Sequence, residues 1–190
     1  MILLTRLAAI FALAMAASVA SGQESAVPDG ATEEAADAVA DPMDIPNNTA
    51  FGDWILTCEA ATVRRTVCRL VQEQSLRETG EIIARFIAAP VADGAILLAQ
   101  VPMGVYLPGG AVYRFAENEA LEQREMIWQT CTQGLCEAAA PLDEEELALF
   151  AEEEALLFGF RPAADAEPVI LRVDISRFGE AMDMLRDVDG

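Results

Sequence analysis

Apolar and polar residues alternate over short stretches of this chain, and the alternation breaks repeatedly on Gly, Pro or Asp. Between residues 51 and 58, Trp54, Leu56 and Cys58 share one side at period two, which predicts a strand with one buried face. A loop over 59–65 leads to a second strand over 66–74, so Cys58 and Cys68 fall near opposing strand ends, within reach of a bridge. A third strand runs from Glu81 to Ala89 and is ended by Pro90 and the turn pair Asp93-Gly94. Ala95 to Val101 is apolar on both faces, the pattern of a central or doubly covered strand. Pro102-Met103-Gly104 breaks it, and Pro108-Gly109-Gly110 marks another turn before a strand over Ala111–Phe115. Glu122 to Cys131 carries Met126, Trp128 and Thr130 on one face. Gln133-Gly134 then turns the chain so that Cys136 returns beside Cys131, a hairpin closed by a disulfide.

The period changes at residues 142–155, which read as a helix. Asp143 with Glu146 three residues on resembles a capping box. Acids in the first turn suit the positive end of the helix dipole, while Glu152–Glu154 oppose it near the other end. Two closing strands follow over 156–161 and 169–175. Ser176 is placed to cap a last short helix that buries Phe178, Ala181 and Leu185. Short strands at close spacing with Gly- and Pro-rich turns predict an all-β sandwich, decorated by one or two short helices and stapled by disulfides.

What precedes this pattern is different in kind. Residues 1–20 hold one charge, Arg6, an apolar run from Leu7 to Ala17, and a small-x-small ending at Ser18-Val19-Ala20. That is the plan of a secretory signal peptide, with an apolar run shorter than the ~20 residues that span a bilayer. Residues 21–50 contain seven acids, no base and several prolines, and read as a disordered acidic tether. The expected organisation is therefore a signal peptide over 1–20, a tether over 21–50 and one domain over 51–190. No second apolar run is long enough to span a membrane, so no transmembrane segment is expected in the mature chain. A periplasmic or secreted location follows.

Charge and composition then narrow the chemistry. All 32 acids lie after position 20, against 11 arginines once Arg6 is removed, which leaves a net charge of about −21. Such a surface excludes nucleic-acid binding through released counterions. The chain has no histidine and no lysine. Ser-His-Asp and Cys-His activation, His-ligated metals, Schiff-base chemistry and a phosphate-binding lysine are all excluded with them. Carboxylate chemistry, thiol redox chemistry, or no chemistry remain, and no cofactor is expected.

The four cysteines are Cys58, Cys68, Cys131 and Cys136. Three connectivities are possible, and the grouping into two close pairs favours Cys58–Cys68 with Cys131–Cys136. Zinc knuckles and redox motifs use shorter spacings, so structural disulfides of an exported protein are the expected reading. The acids at 143–146 and 152–154 lie on a helix rather than around a calcium loop, and read as a solvated face. Trp54 and Trp128, close in sequence to cysteines, are expected to pack around the disulfides rather than stack on a ligand. The apolar stretch 101–110, VPMGVYLPGG, displays Met103, Tyr106 and Leu107 as a contact patch if it is a loop. If it is a strand-to-strand crossing, it buries them, and the pattern is compatible with both.

Several blocks occur in a recognisable order: FGDW at 51–54, CRLVQEQ at 68–74, PVADGAILLAQVPMGVYLPGG at 90–110 and TCTQGLCEA at 130–138, then an Asp-led helix and a terminal strand and helix. Over about residues 50 to 187 the chain resembles the invasion-associated locus B (IalB) family of exported bacterial proteins. The C-terminal block departs from the family pattern, since Ser176-Arg177-Phe178-Gly179 carries Phe before Gly, and the acidic leader is not part of that pattern. The resemblance implies an immunoglobulin-like β-sandwich and no catalytic residues. The expectation is thus an exported, non-enzymatic module with an unknown protein partner. The alternative is a carboxylate-dependent hydrolase or thiol oxidoreductase of the cell envelope.

Overall fold

The computed structural model describes residues 47–189. The signal peptide expected over 1–20 and the tether up to residue 46 lie outside the described residues. Ten strands run β1 (Thr49–Phe51), β2 (Trp54–Thr62), β3 (Arg65–Ser75), β4 (Ile82–Val91), β5 (Gly94–Pro102), β6 (Ala111–Phe115), β7 (Arg124–Thr132), β8 (Leu135–Leu142), β9 (Ala155–Phe160) and β10 (Val169–Asp174). Helix α1 (Glu144–Glu152) lies between β8 and β9, α2 (Phe178–Asp189) follows β10, and a 3-10 turn spans Leu107–Gly109. Strand pairing starts at Thr49, two residues before the expected boundary, and the Asn47 side chain holds both the N–H and the carbonyl of Cys58.

All neighbours are antiparallel, in the order β1-β2-β3-β4-β5-β8-β7-β6-β9-β10. This ladder forms the two layers of a sandwich because β7 belongs to both. Its first residues, Arg124 to Met126, pair with β6, and from Ile127 onward it pairs with β8. A bulge between Trp128 and Thr130 accompanies the switch, as expected where a strand bends from one sheet into another. The layers meet face to face at Phe86 of β4 and Phe158 of β9, whose rings lie 5.2 Å apart edge-on. The far edges meet as well. The Trp54 indole donates to the Asp174 carbonyl at 2.8 Å and packs edge-on against Phe178 of α2.

One inner row runs Leu56–Leu70–Ala88–Leu97–Ala140 across five strands, every member buried and Leu97 flanked by an alanine on each side. The expected apolar character of β5 on both faces has a direct cause. Its outward Leu98 belongs to an outer row, Ile55–Val71–Ile87–Leu98–Ala139–Ile127, that crosses the whole first layer. Pro90 does not end β4 as expected. Pairing with β3 stops at Leu70–Ala88, while pairing with β5 continues to Val91–Gly94, so the missing N–H falls where β3 no longer needs it.

The helices close the sandwich. Asp143 caps α1 by accepting from the Glu146 N–H at 2.9 Å, as the pattern predicts. The reciprocal half of the capping box is absent, because the Glu146 carboxylate is engaged elsewhere. Ser176 is not the cap of α2. Its hydroxyl donates back to Asp174 Oδ1 at 2.7 Å, and the helix begins at Phe178 with Phe178, Ala181 and Leu185 buried as expected.

Candidate functional site

The cysteines form the two expected bridges, Cys58–Cys68 and Cys131–Cys136, each between residues directly opposite on neighbouring strands with Cα atoms 4.0 Å apart. None of the four is free. Val101 of β5 faces the Cys131–Cys136 rung, and continuing the register places Cys58–Cys68 level with Pro90 and Ala95. The staples thus hold opposite ends of the first layer, about 20 Å apart along the strands. Trp54 is core, as expected, but its partners are Asp174 and Phe178 rather than a disulfide. Trp128 is half-buried.

The stretch after β5 is a loop, not a buried crossing. Met103, Tyr106 and Leu107 are exposed by 51, 36 and 46%. Its backbone is nonetheless tied at several points. Met103 N–H donates to the Gly134 carbonyl at 2.9 Å, Tyr106 N–H to the Arg161 carbonyl at 2.7 Å, and Gly109 N–H to the Tyr106 carbonyl at 2.9 Å. Three apolar side chains therefore project from a backbone that needs little further ordering.

Beside this loop lies a cleft of about 370 Å³ on the outer face of the second layer, which the sequence reading missed. Its floor is the row Val112–Gly159–Ile170, one residue from each of β6, β9 and β10. Gly159 supplies no side chain, so the row has a gap at its middle. Arg114, opposite Leu157, stands at one end of the cleft, and Arg161, just past β9, at the other. Among the described residues, neither guanidinium has a carboxylate within ion-pair distance; Arg161 donates only to the Ala166 carbonyl at 3.3 Å. Among the described residues six other arginines are ion-paired, so Arg114 and Arg161 are the cleft's own cations, with Glu125 of β7 bordering its floor beside Val112. The only sequence signals for it were a glycine inside a strand pattern and the arginine two residues on.

The acidic helix does not form a solvated face throughout. Glu146 is buried, accepting from the Tyr113 hydroxyl at 2.7 Å and from Arg124 Nε at 3.2 Å. Burial chiefly, and then this hydrogen bond, hold the Tyr113 phenol well above its ordinary range, while the bond to Glu146 raises the Arg124 guanidinium. Both oxygens of Glu146 are thus committed to structure. Glu153 accepts from the Asn118 amide at 3.0 Å.

Comparison with known proteins decides the family. The family model described as "Invasion associated locus B (IalB) protein" matches residues 54–186. The chain belongs to the IalB family. An invasion protein B homolog of Brucella abortus biovar 1 (strain 9-941) is 24% identical over 140 residues, covering 72% of this chain and 77% of that protein. The crystal structure of invasion associated protein b from Bartonella henselae superposes with a TM-score of 0.64 at 19% identity, over 74% of this chain and 95% of that one. At that identity the likeness concerns the fold, and it agrees with the sandwich described above. In this IalB domain the family block at 90–110 is the β4–β5 hairpin, all of β5 and the exposed loop.

Proposed function

We propose that this IalB-family chain is an exported, non-enzymatic protein-interaction module, working in the periplasm or after secretion, that contacts its partner through the loop after β5. The observation that carries the reading is the exposure of Met103, Tyr106 and Leu107 on a loop pinned by backbone hydrogen bonds. Apolar side chains held out to solvent on ordered backbone lose little entropy on docking, and they are the kind of group that anchors an interface. Export is supported by the leader pattern of residues 1–20 and by two disulfides, which form and persist in oxidising compartments. Among the described residues, helices long and apolar enough to cross a membrane are absent. A scaffold role is supported further by the absence of histidine and lysine and by the structural commitments of the cysteines and of Glu146.

Crosslinking through carboxylates in intact cells, chosen because the chain has no lysine, followed by mass spectrometry, tests the reading. One protein should be enriched well above envelope background with the native chain, and lost when Met103, Tyr106 and Leu107 are all replaced by serine. Recovery of bulk envelope proteins alone, in proportion to their abundance, would end it.

A further inference from the structure

We infer that the cleft over Gly159 takes an extended acidic peptide segment of the partner, with two carboxylates four residues apart and a branched apolar residue midway between them. The inference rests on the reading of the chain as a protein-interaction module and names the chemistry that the partner brings.

Gly159 forms the middle of the cleft floor. It sits inside β9, paired on both sides, and its backbone is not in the left-handed region that calls for glycine. A Cβ built there meets Val112 Cγ2 at 3.6 Å and the Val169 carbonyl at 3.8 Å, ordinary contacts. The fold therefore does not demand glycine, yet glycine inside a strand costs about 0.5–1 kcal/mol relative to alanine. A strand glycine without such a local reason marks a place where a ligand or another backbone comes close.

Arg114 and Arg161 flank that glycine along the strand direction. Arg114 is level with Leu157, and Arg161 lies four residues further along the same row direction, about 13 Å away at the rise of a strand. In an extended peptide, residues i, i+2 and i+4 face the same way and span the same length. Carboxylates at i and i+4 would meet the two guanidiniums, whose planar donor forks suit them. The side chain at i+2 would drop into the gap between Val112 and Ile170. Tyr106 and Arg161 both pack against Gly109, so a peptide in the cleft would continue onto the contact loop. The net charge of the chain opposes an acidic ligand at long range, so recognition falls to these short-range contacts.

The test uses purified chain from residue 21 to 190 and two fluorescein-labelled peptides, Glu-Ser-Val-Ser-Glu and the rearranged Glu-Glu-Val-Ser-Ser, followed by fluorescence anisotropy at low salt. The spaced peptide should bind at least about tenfold more tightly than the rearranged one. Arg114→Gln and Arg161→Gln should each weaken it about tenfold. Gly159→Val should abolish binding while thermal unfolding shows an intact fold, since the site has room for a Cβ. Equal affinity for the two peptides, or binding unaffected by Gly159→Val, overturns the inference. If a cellular partner is captured at the loop while the spaced peptide fails to bind, the peptide chemistry is wrong and the interaction module stands. If no partner is captured, the module itself is lost.

Discussion

Gly94 passes directly under the carbonyl oxygen of Leu142. A Cβ on Gly94 would lie 2.1 Å from that oxygen, and the backbone there has φ +131, a conformation that side chains rarely adopt. The tight approach lets β5 start directly beside the end of β8, just before Asp143 caps α1. Gly94→Ala should therefore cost about 3 kcal/mol or more, because the obstacle is backbone and cannot swing aside. Gly159→Ala should do the opposite and stabilise by about 0.5–1 kcal/mol. Urea denaturation of the two variants separates a glycine the fold needs from one that it does not. Loss of stability in Gly159→Ala would remove the argument for a ligand there.

Glu146 ties α1 to both β6 and β7 through Tyr113 and Arg124. Glu146→Ala would leave a buried phenol hydroxyl without its acceptor and Arg124 without its partner, at a cost of about 2–4 kcal/mol. Tyr113→Phe should cost less, about 1–2 kcal/mol. A double-mutant cycle with chemical denaturation measures the coupling, and additive losses would show that the two groups do not act together.

The same contact gives a pH signature. The Tyr113 phenol is held above the ordinary value of 10.0, so the folded state keeps its proton where the unfolded state has lost it. The resulting stability is complete below pH 10 and is lost as pH rises above it, by up to ~1.4 kcal/mol per pH unit. Comparing unfolding free energies of wild type and Tyr113→Phe between pH 8.5 and 11 isolates this contribution (about the range where an unfolded tyrosine titrates). The wild type should lose more stability across that window, and parallel curves would refute the assignment.

The two staples close loops with sequence separations of 10 and 5 residues. Removing either bridge by paired Cys→Ala replacement should cost about 2–3 kcal/mol on the chain-entropy model. Since the bridges lie at opposite ends of the first layer, the losses should add within ~0.5 kcal/mol. Alkylation without reductant should modify no thiol. Rapid labelling of one pair in the native protein would revive a thiol oxidoreductase.

Most of the strands were legible because each buries one face, and that face is written locally at period two. The pairing of Cys58 with Cys68 and of Cys131 with Cys136 was legible for the same reason, since hairpin register follows from the turn. Three features were not. The division of β7 between two sheets depends on which strands arrive beside it, not on its own residues. The Asp143–Glu146 spacing signalled a capping box, but the tertiary partners Tyr113 and Arg124 took the carboxylate that would have completed it. The Gly159 cleft joins residues from β6, β9 and β10 whose adjacency appears only in the folded ladder. The exposure of Met103, Tyr106 and Leu107 was one of two readings of an apolar stretch, and the backbone bonds to Gly134 and Arg161 decide between them.

The proposed role puts the partner on the loop after β5. A photo-crosslinking residue at Leu107, compared in intact cells with the same residue at Val63, tests it most directly. Val63 is fully exposed at the tip of the β2–β3 hairpin, outside the loop and cleft, so it controls for exposure alone. One discrete crosslinked species should form from Leu107, and none of that mass from Val63. The same species from both positions, or none from either, would contradict it.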